Sequence, residues 1–132
     1  MKRTSPLRRS KPIRKVSTKR AKQLREYSAR RVYFLRENPI CQVWMRENGW
    51  TRLISGIYTK KVTEHIHIHK TALELLNALF CAPAATEVHH VAKRRGEMLN
   101  DERHWLAVCR HNHERIEQNK SWARANGYLT NF

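Results

Sequence analysis

The sequence predicts one small α+β domain, with a long basic helix near its beginning and a strand–strand–helix unit near its end. Its 132 residues allow one globular domain with attachments. Helical periodicity runs through residues 17–37, whereas residues 85–119 show a short strand, a basic loop, a second strand and a helix. The second pattern is a ββα arrangement, which brings several histidines toward one point.

The composition predicts a polyanionic partner. The chain has 27 Lys and Arg against 11 Asp and Glu, which gives a formal net charge of +16. No apolar run approaches the ~20 residues needed to span a bilayer, and no apolar signal segment follows the basic N-terminus. We therefore expect a cytoplasmic protein that binds nucleic acid and no membrane. The three cysteines, an odd number, favour metal binding or burial over a disulfide framework.

Residues 1–16 are predicted to be a disordered basic arm that precedes a single domain over residues 17–132. The arm combines two prolines with seven basic residues and has no apolar periodicity. The first helix is capped by Ser17 or Thr18, carries an apolar stripe and ends at about Glu37, before a proline. Its other face is nearly all Lys and Arg. We expect that face to contact phosphates; a solvated surface is the alternative.

Residues 44–80 are predicted to be an insertion with a strand or hairpin followed by a short helix. Polar and apolar residues alternate over residues 63–69, which is the period of a strand. Thr71 and Glu74 form a capping-box pattern for the helix. The strand would present three imidazoles on one side, those of His65, His67 and His69. Such a row can bind Zn²⁺ or Ni²⁺ weakly, but an exposed strand face is favoured.

The last fifty residues contain the ββα pattern. Strands are predicted over residues 85–90 and 105–109, a helix over residues 112–119, and a final helical turn from Ser121. A loop with turn-forming residues joins the two strands. We expect the basic residues of this loop to contact a phosphate backbone, although a solvated loop would have the same composition. They are Lys93, Arg94 and Arg95.

The stretch CAPAATEVHHVAKRRGEMLNDERHWLAVCRHNHERIEQN, residues 81–119, resembles the HNH endonucleases of the ββα-metal (His-Me finger) class, particularly the small bacteriophage type. The resemblance extends over residues 15–43 and 81–132. It implies a metal-dependent enzyme that hydrolyses DNA phosphodiester bonds and leaves a 5′-phosphate and a 3′-hydroxyl. It further implies a role in phage DNA processing or packaging, with a terminase as a partner, in the cytoplasm of the bacterial host.

The same resemblance implies roles for individual residues. His90 corresponds to the general base, and His89 and His113 correspond to ligands of the catalytic ion. Glu117 stands four residues after His113, where many relatives carry a histidine. One helical turn brings positions four apart together, and a carboxylate is a competent ligand for Mg²⁺ or Mn²⁺. The expected cofactor is a divalent ion, one of Mg²⁺, Mn²⁺, Ni²⁺ or Zn²⁺.

Two further positions depart from or extend the family pattern. His104 occupies the position of the family's asparagine, so we expect it to act in catalysis by holding the base histidine in orientation; Asn100 is the weaker alternative. Arg110, directly after the second strand, is expected to contact DNA together with the basic loop.

The cysteines predict a structural zinc site that lacks one thiolate. Many relatives bind such an ion with two CxxC pairs, and here Cys41, Cys81 and Cys109 match three of the four positions while Asn112 stands at the last. His111 or one of the three histidines of the predicted strand would supply the fourth ligand. The alternative is three buried cysteines that no longer bind a metal ion.

The alternative function is a non-catalytic basic module that binds DNA or RNA. In that case the departures at His104, Asn112 and Glu117 would have disabled the site. The intact histidines of the motif favour the enzyme.

Overall fold

The computed structural model describes residues 16–77 and 83–130, and the fold is α+β. Residues 1–15 of the predicted arm, and Cys81, lie outside the described residues. In chain order the elements are α1 (Thr18–Glu37), α2 (Gln42–Glu47), β1 (Trp50–Arg52), β2 (Tyr58–Lys61), β3 (His67–Lys70), α3 (Ala72–Leu76), β4 (Glu87–His90), 3₁₀ helices at Gly96–Asn100 and Glu102–His104, β5 (Trp105–Val108), α4 (Arg110–Gln118) and α5 (Lys120–Ala125).

Helix α1 forms as predicted and packs against the C-terminal part of the chain. Ser17 is its cap, since the side-chain oxygen accepts a hydrogen bond from the Arg20 amide at 3.2 Å. Tyr27 is the buried residue of the helix. It lies in a cluster with three residues of the C-terminal half, Val88, Leu99 and Trp105. Although α1 has twenty residues, neither it nor any other helix of the described segments is long and apolar enough to cross a membrane.

The C-terminal half contains the predicted strand–strand–helix unit. Strands β4 and β5 pair antiparallel, with His90 opposite Trp105. Helix α4 begins at Arg110, two residues earlier than predicted, because the Cys109 sulfur caps it by accepting the Asn112 amide at 3.5 Å. Helix α5 begins at Lys120, one residue before the predicted start. Residues of β4 and α4 thus lie side by side in this unit.

The middle of the chain forms a separate antiparallel sheet in the order β1-β2-β3. Helix α3 has the predicted capping box, with both reciprocal hydrogen bonds between Thr71 and Glu74. The predicted strand over residues 63–69 is wrong at its start, because Thr63 forms a turn. Its hydroxyl accepts a hydrogen bond from the Ile66 amide at 3.1 Å, and β3 begins only at the next residue. His67 and His69 therefore lie on the strand, and His65 lies in the turn.

The two ends of the inserted segment lie beside each other. The Cys41 amide donates to the Pro83 carbonyl at 2.9 Å, and the Ala85 amide donates to the Pro39 carbonyl at 2.9 Å. The chain thus leaves and returns at a single point, so the insert does not interrupt the strand–strand–helix unit.

Ile116→Ala in α4 should reduce the free energy of unfolding by about 2–5 kcal/mol, because this fully buried side chain fills the core beneath β5. Ile54→Ala is the matched control, since Ile54 lies in a hairpin turn and is 104% exposed. Its effect should stay within about 0.5 kcal/mol. Denaturant titration of both variants measures the difference, and equal losses would contradict the assigned core.

Candidate functional site

The paired histidines of β4 lie on opposite sides of the strand, as the two-residue period of a strand requires. His89 is 3% exposed and faces α4, where its ring centroid lies 5.3 Å from that of His113. His90 faces α1 and β5, with the rings of Tyr27 and Trp105 at 5.4 and 5.7 Å. The two rings therefore have different neighbours and different chemistry.

One cluster in the described residues could hold a metal ion. It consists of His89, His113 and Glu117, and one ligand atom from each lies within 4.8 Å of the others. Two of the three are a helical turn apart on α4, with the His113 Nε2 atom 4.0 Å from a Glu117 oxygen. Ligand atoms lie about 2.0–2.2 Å from a small divalent ion, so small side-chain rotations would close the group on one ion. The structure thus brings together all three predicted ligands.

Hydrogen bonds fix which nitrogen of each histidine can bind an ion. The His89 Nε2–H donates to the Tyr128 carbonyl at 2.8 Å, and the His113 Nδ1–H donates to the Glu87 carboxylate at 2.6 Å. In the neutral rings the lone pairs then lie on Nδ1 of His89 and Nε2 of His113. Acceptors of this kind orient metal-binding histidines and raise their basicity. The contribution of Glu87 was missed in the sequence.

Burial also favours the form of His89 that binds metal. Removal of the ring from water lowers its pKa, although the hydrogen bond to the Tyr128 carbonyl opposes that shift. A lowered pKa keeps the imidazole neutral near pH 7, and only a neutral imidazole can donate its lone pair to an ion.

His90 has the geometry of a general base. Its Nε2–H donates to the Leu99 carbonyl at 3.2 Å, so the lone pair of the neutral ring lies on Nδ1. The same carbonyl accepts the indole N–H of Trp105 at 3.1 Å, which fixes its position. Burial, and to a lesser extent the charge of Arg94, lower the pKa of His90. The ring is therefore held in one tautomer and favoured in the neutral form.

The sequence predicts that the His104 side chain orients His90, but the hydrogen bond that holds the His90 ring goes to the Leu99 carbonyl. The His104 ring lies beside Asp101, with Nε2 3.8 Å from a carboxylate oxygen. Its backbone contributes to the site, because its carbonyl accepts the Val91 amide at 2.8 Å and so extends the pairing of β4 with β5. A backbone carbonyl has no signature in the sequence, which is why Leu99 was missed.

Helix α1 fixes the 3₁₀ helix that carries Leu99. Arg30 donates to the Asn100 carbonyl at 2.9 Å and to the Glu102 carboxylate at 3.0 Å. In return the Asn100 side chain donates to the Gln23 carbonyl at 3.2 Å. Asn100 thus connects this 3₁₀ helix to α1, and part of the basic helix fixes the segment whose carbonyl holds His90.

The histidines and Glu117 line a common cleft of about 320 Å³. Arg94 also lines it, held with its guanidinium carbon 5.0 Å from the centre of the Tyr27 ring. Lys93 lines an adjoining pocket, and Arg95 is exposed. Arg110, predicted to contact DNA, is exposed and forms ion pairs with two glutamates of the described residues, Glu114 at 3.2 Å and Glu87 at 3.9 Å.

Two of the three cysteines come together around Asn112. Cys41 and Cys109 are buried, and the Asn112 side chain donates to the Cys41 sulfur at 3.3 Å. Burial raises the pKa of the Cys109 thiol, which disfavours the thiolate that zinc needs. Within the described segments these sulfurs belong to no group of three metal ligands, and His111 does not join them. The structural zinc, which also involves Cys81, stays a prediction.

Comparisons of the chain with protein-family models, with curated proteins and with solved structures found no match.

Glu117→Ala should raise the concentration of Mg²⁺ or Mn²⁺ needed for half-maximal binding, because the carboxylate is the one oxygen ligand of the cluster. Glu117→His should restore binding preferentially for Ni²⁺ or Zn²⁺, which imidazole suits better. Calorimetric titration of both variants with each ion tests this. If neither substitution changes any metal affinity, Glu117 is only a surface residue of α4.

Proposed function

We propose that the protein is a metal-dependent endonuclease of the HNH type, which hydrolyses phosphodiester bonds of DNA. One observation carries the proposal: His90, whose Nδ1 accepts no hydrogen bond from the described residues, lines the same cleft as the metal-ligand cluster. Hydrolysis of a phosphodiester needs a base for the attacking water and a cation for the developing charge. The cleft combines residues suited to both tasks, and this pairing supports an HNH core for the α+β fold.

The residues fit a catalytic divalent ion better than a structural one. His89, His113 and Glu117 supply three ligands, which leaves coordination positions for a phosphate oxygen and water. When bound, a divalent ion would neutralise charge on the phosphate and stabilise the leaving oxygen. The carboxylate favours Mg²⁺ or Mn²⁺, whereas the two imidazoles also suit Ni²⁺ and Zn²⁺.

His90 would take the proton of the attacking water on Nδ1. Its opposite nitrogen is bonded to the Leu99 carbonyl at 3.2 Å, so the ring keeps its orientation while the proton moves. The imidazolium that forms would donate a stronger, charge-assisted hydrogen bond to that carbonyl. Arg94, at the wall of the same cleft, would hold the negative phosphate. The expected products are a 5′-phosphate and a 3′-hydroxyl.

DNA is the proposed partner because the basic residues of α1 face outward beside the site. Arg30 ties this helix to the active-site loop, so its exposed cations have a fixed relation to the cleft. The exposed basic residues are Lys19, Lys22, Arg25, Arg31 and Arg36. Such a row is suited to a phosphate backbone. The resemblance to phage enzymes adds a role in phage DNA processing, with a terminase as a second partner.

Conversion of supercoiled plasmid to nicked or linear DNA tests the proposal. The purified protein is incubated with plasmid and Mg²⁺, Mn²⁺, Ni²⁺ or Zn²⁺, and in parallel with excess EDTA. Cleavage with at least one ion and none in EDTA is expected. Binding of DNA or RNA without turnover in any ion would instead favour the non-catalytic module.

A further inference from the structure

A second concave pocket of about 250 Å³ adjoins the cleft. The two concavities share three lining residues, Ala92, Glu117 and Leu129. Glu117, a member of the metal-ligand cluster, therefore lies between the two concavities. The other walls of the second pocket include three cations, Lys93, Lys120 and Arg124.

No carboxylate of the described residues pairs with these three cations. Arginines elsewhere on the surface, such as Arg52 and Arg103, pair with carboxylates at 3.4 and 2.7 Å. Although Glu117 lies on the pocket wall, it forms no ion pair with them. Three unpaired positive charges around one small concavity favour an anionic occupant.

The geometry of the pocket is tied to the metal-ligand cluster. After α5 the chain turns at Gly127, whose φ of 76° suits glycine. It then runs back along the end of β4, where the Thr130 amide donates to the Val91 carbonyl at 3.0 Å. The same segment supplies the Tyr128 carbonyl that holds His89 at 2.8 Å. The cations of α5 are thus fixed relative to a metal ligand.

We propose that this pocket binds the phosphate next to the one that is cleaved, in the same DNA strand. This inference rests on the proposed function, since it takes the cleft as the place of the scissile phosphate. A duplex strand presents a phosphate about every 3.4 Å along its axis. Successive phosphates can therefore occupy two concavities that share one wall. Lys93, Lys120 and Arg124 would neutralise the second phosphate and set the register of the strand across the metal site.

The first test is the salt dependence of DNA binding in EDTA, which needs no cleavage. In the double variant Lys120→Gln/Arg124→Gln, the slope of log affinity against log salt should fall by up to about 0.9, the contribution of one phosphate contact with duplex DNA. The control Lys61→Gln/Lys70→Gln removes the same charge from the exposed sheet of the insert and should leave the slope nearly unchanged. Equal slopes for the pocket variant and the wild type would overturn the proposal.

The second test locates the phosphate. A duplex with a single neutral methylphosphonate on one side of the cleaved bond should be cut more slowly by the wild-type protein, and the pocket variant should lose this sensitivity. A neutral linkage that slows both proteins equally overturns the assignment. The assignment is also overturned if the wild-type protein, but not the pocket variant, cuts DNA with 5′-phosphorylated ends faster than DNA with 5′-hydroxyl ends. The occupant of the pocket would then be a terminal phosphate.

The outcomes separate this inference from the proposed nuclease activity. If the wild-type protein cleaves DNA and the pocket variant keeps its salt slope, only the pocket assignment fails. A different result is that no ion supports cleavage but the salt slope falls in the pocket variant alone. The proposed nuclease activity is then wrong, and the pocket binds a phosphate of DNA that is not next to a cleaved bond.

Discussion

His90→Ala should reduce DNA cleavage by about 10²- to 10⁴-fold and leave DNA affinity nearly unchanged. Loss of a positioned general base costs a factor of this size. The ring makes no ion pair in the described residues, and its fixed hydrogen bond goes to the Leu99 carbonyl. Affinity should persist because it depends mainly on Lys and Arg contacts with phosphates. Single-turnover rates at saturating DNA, together with binding measured in EDTA, separate the two effects.

His69→Ala is the matched control for this experiment. His69 lies on the exposed strand β3, outside the cleft, and should retain wild-type rates. Because His90 packs between Tyr27 and Trp105, its replacement could also loosen α1. A thermal melt therefore accompanies the rates, and His90→Gln keeps a polar side chain of similar size without a base near pH 7. If binding falls as far as the rate in both variants, His90 is structural.

The sequence predicts the elements of the site well because its local signals are strong. Short-range patterns identify the histidine pair at the end of β4, the amphipathic α4 and the capping box of α3. The alternation over residues 63–69 predicts the wrong start for β3. Residues 63–66 alternate as a strand would, but they form a turn closed by the Thr63 side chain. Local pattern therefore identifies the elements and leaves some of their ends wrong.

The contacts that orient the site are harder to predict, because they join distant positions through the backbone. Arg30 and Asn100 are 70 residues apart, and the hydrogen bond between them ends on a carbonyl. Nothing in the sequence distinguishes Arg30 from the other arginines of a basic helix. The ion pair of Arg110 with Glu87 likewise depends on where β4 and α4 meet. Such contacts are tertiary, and short-range sequence patterns do not contain them.

Glu87 is a different case, because a signal for it was present in the sequence. It precedes His89 by two residues on a strand, and the period of two places both side chains on one face. A carboxylate on the face of a predicted metal-binding histidine is a candidate acceptor for the second nitrogen of a ligand ring. The structure shows that it accepts from His113, at 2.6 Å.

Glu87→Ala should therefore weaken binding of a divalent ion to the metal-ligand cluster by about 10- to 100-fold, the usual cost of removing an acceptor behind a metal-binding histidine. Without the carboxylate, His113 can adopt the other tautomer or rotate, and its Nε2 lone pair is less basic. Glu87→Gln should lie between the alanine variant and the wild type, since the amide oxygen can still accept the Nδ1–H but carries no charge. Calorimetric metal titration measures all three.

Glu114→Gln is the matched control, because Glu114 also pairs with Arg110 but is 57% exposed and outside the metal-ligand cluster. It should keep wild-type metal affinity. Since Glu87 also lies 3.9 Å from Arg110, the control separates loss of that surface pair from loss of the bond to His113. If Glu87→Ala lowers only the melting temperature of the metal-free protein and leaves metal affinity intact, Glu87 stabilises the junction of β4 and α4 and does not tune His113.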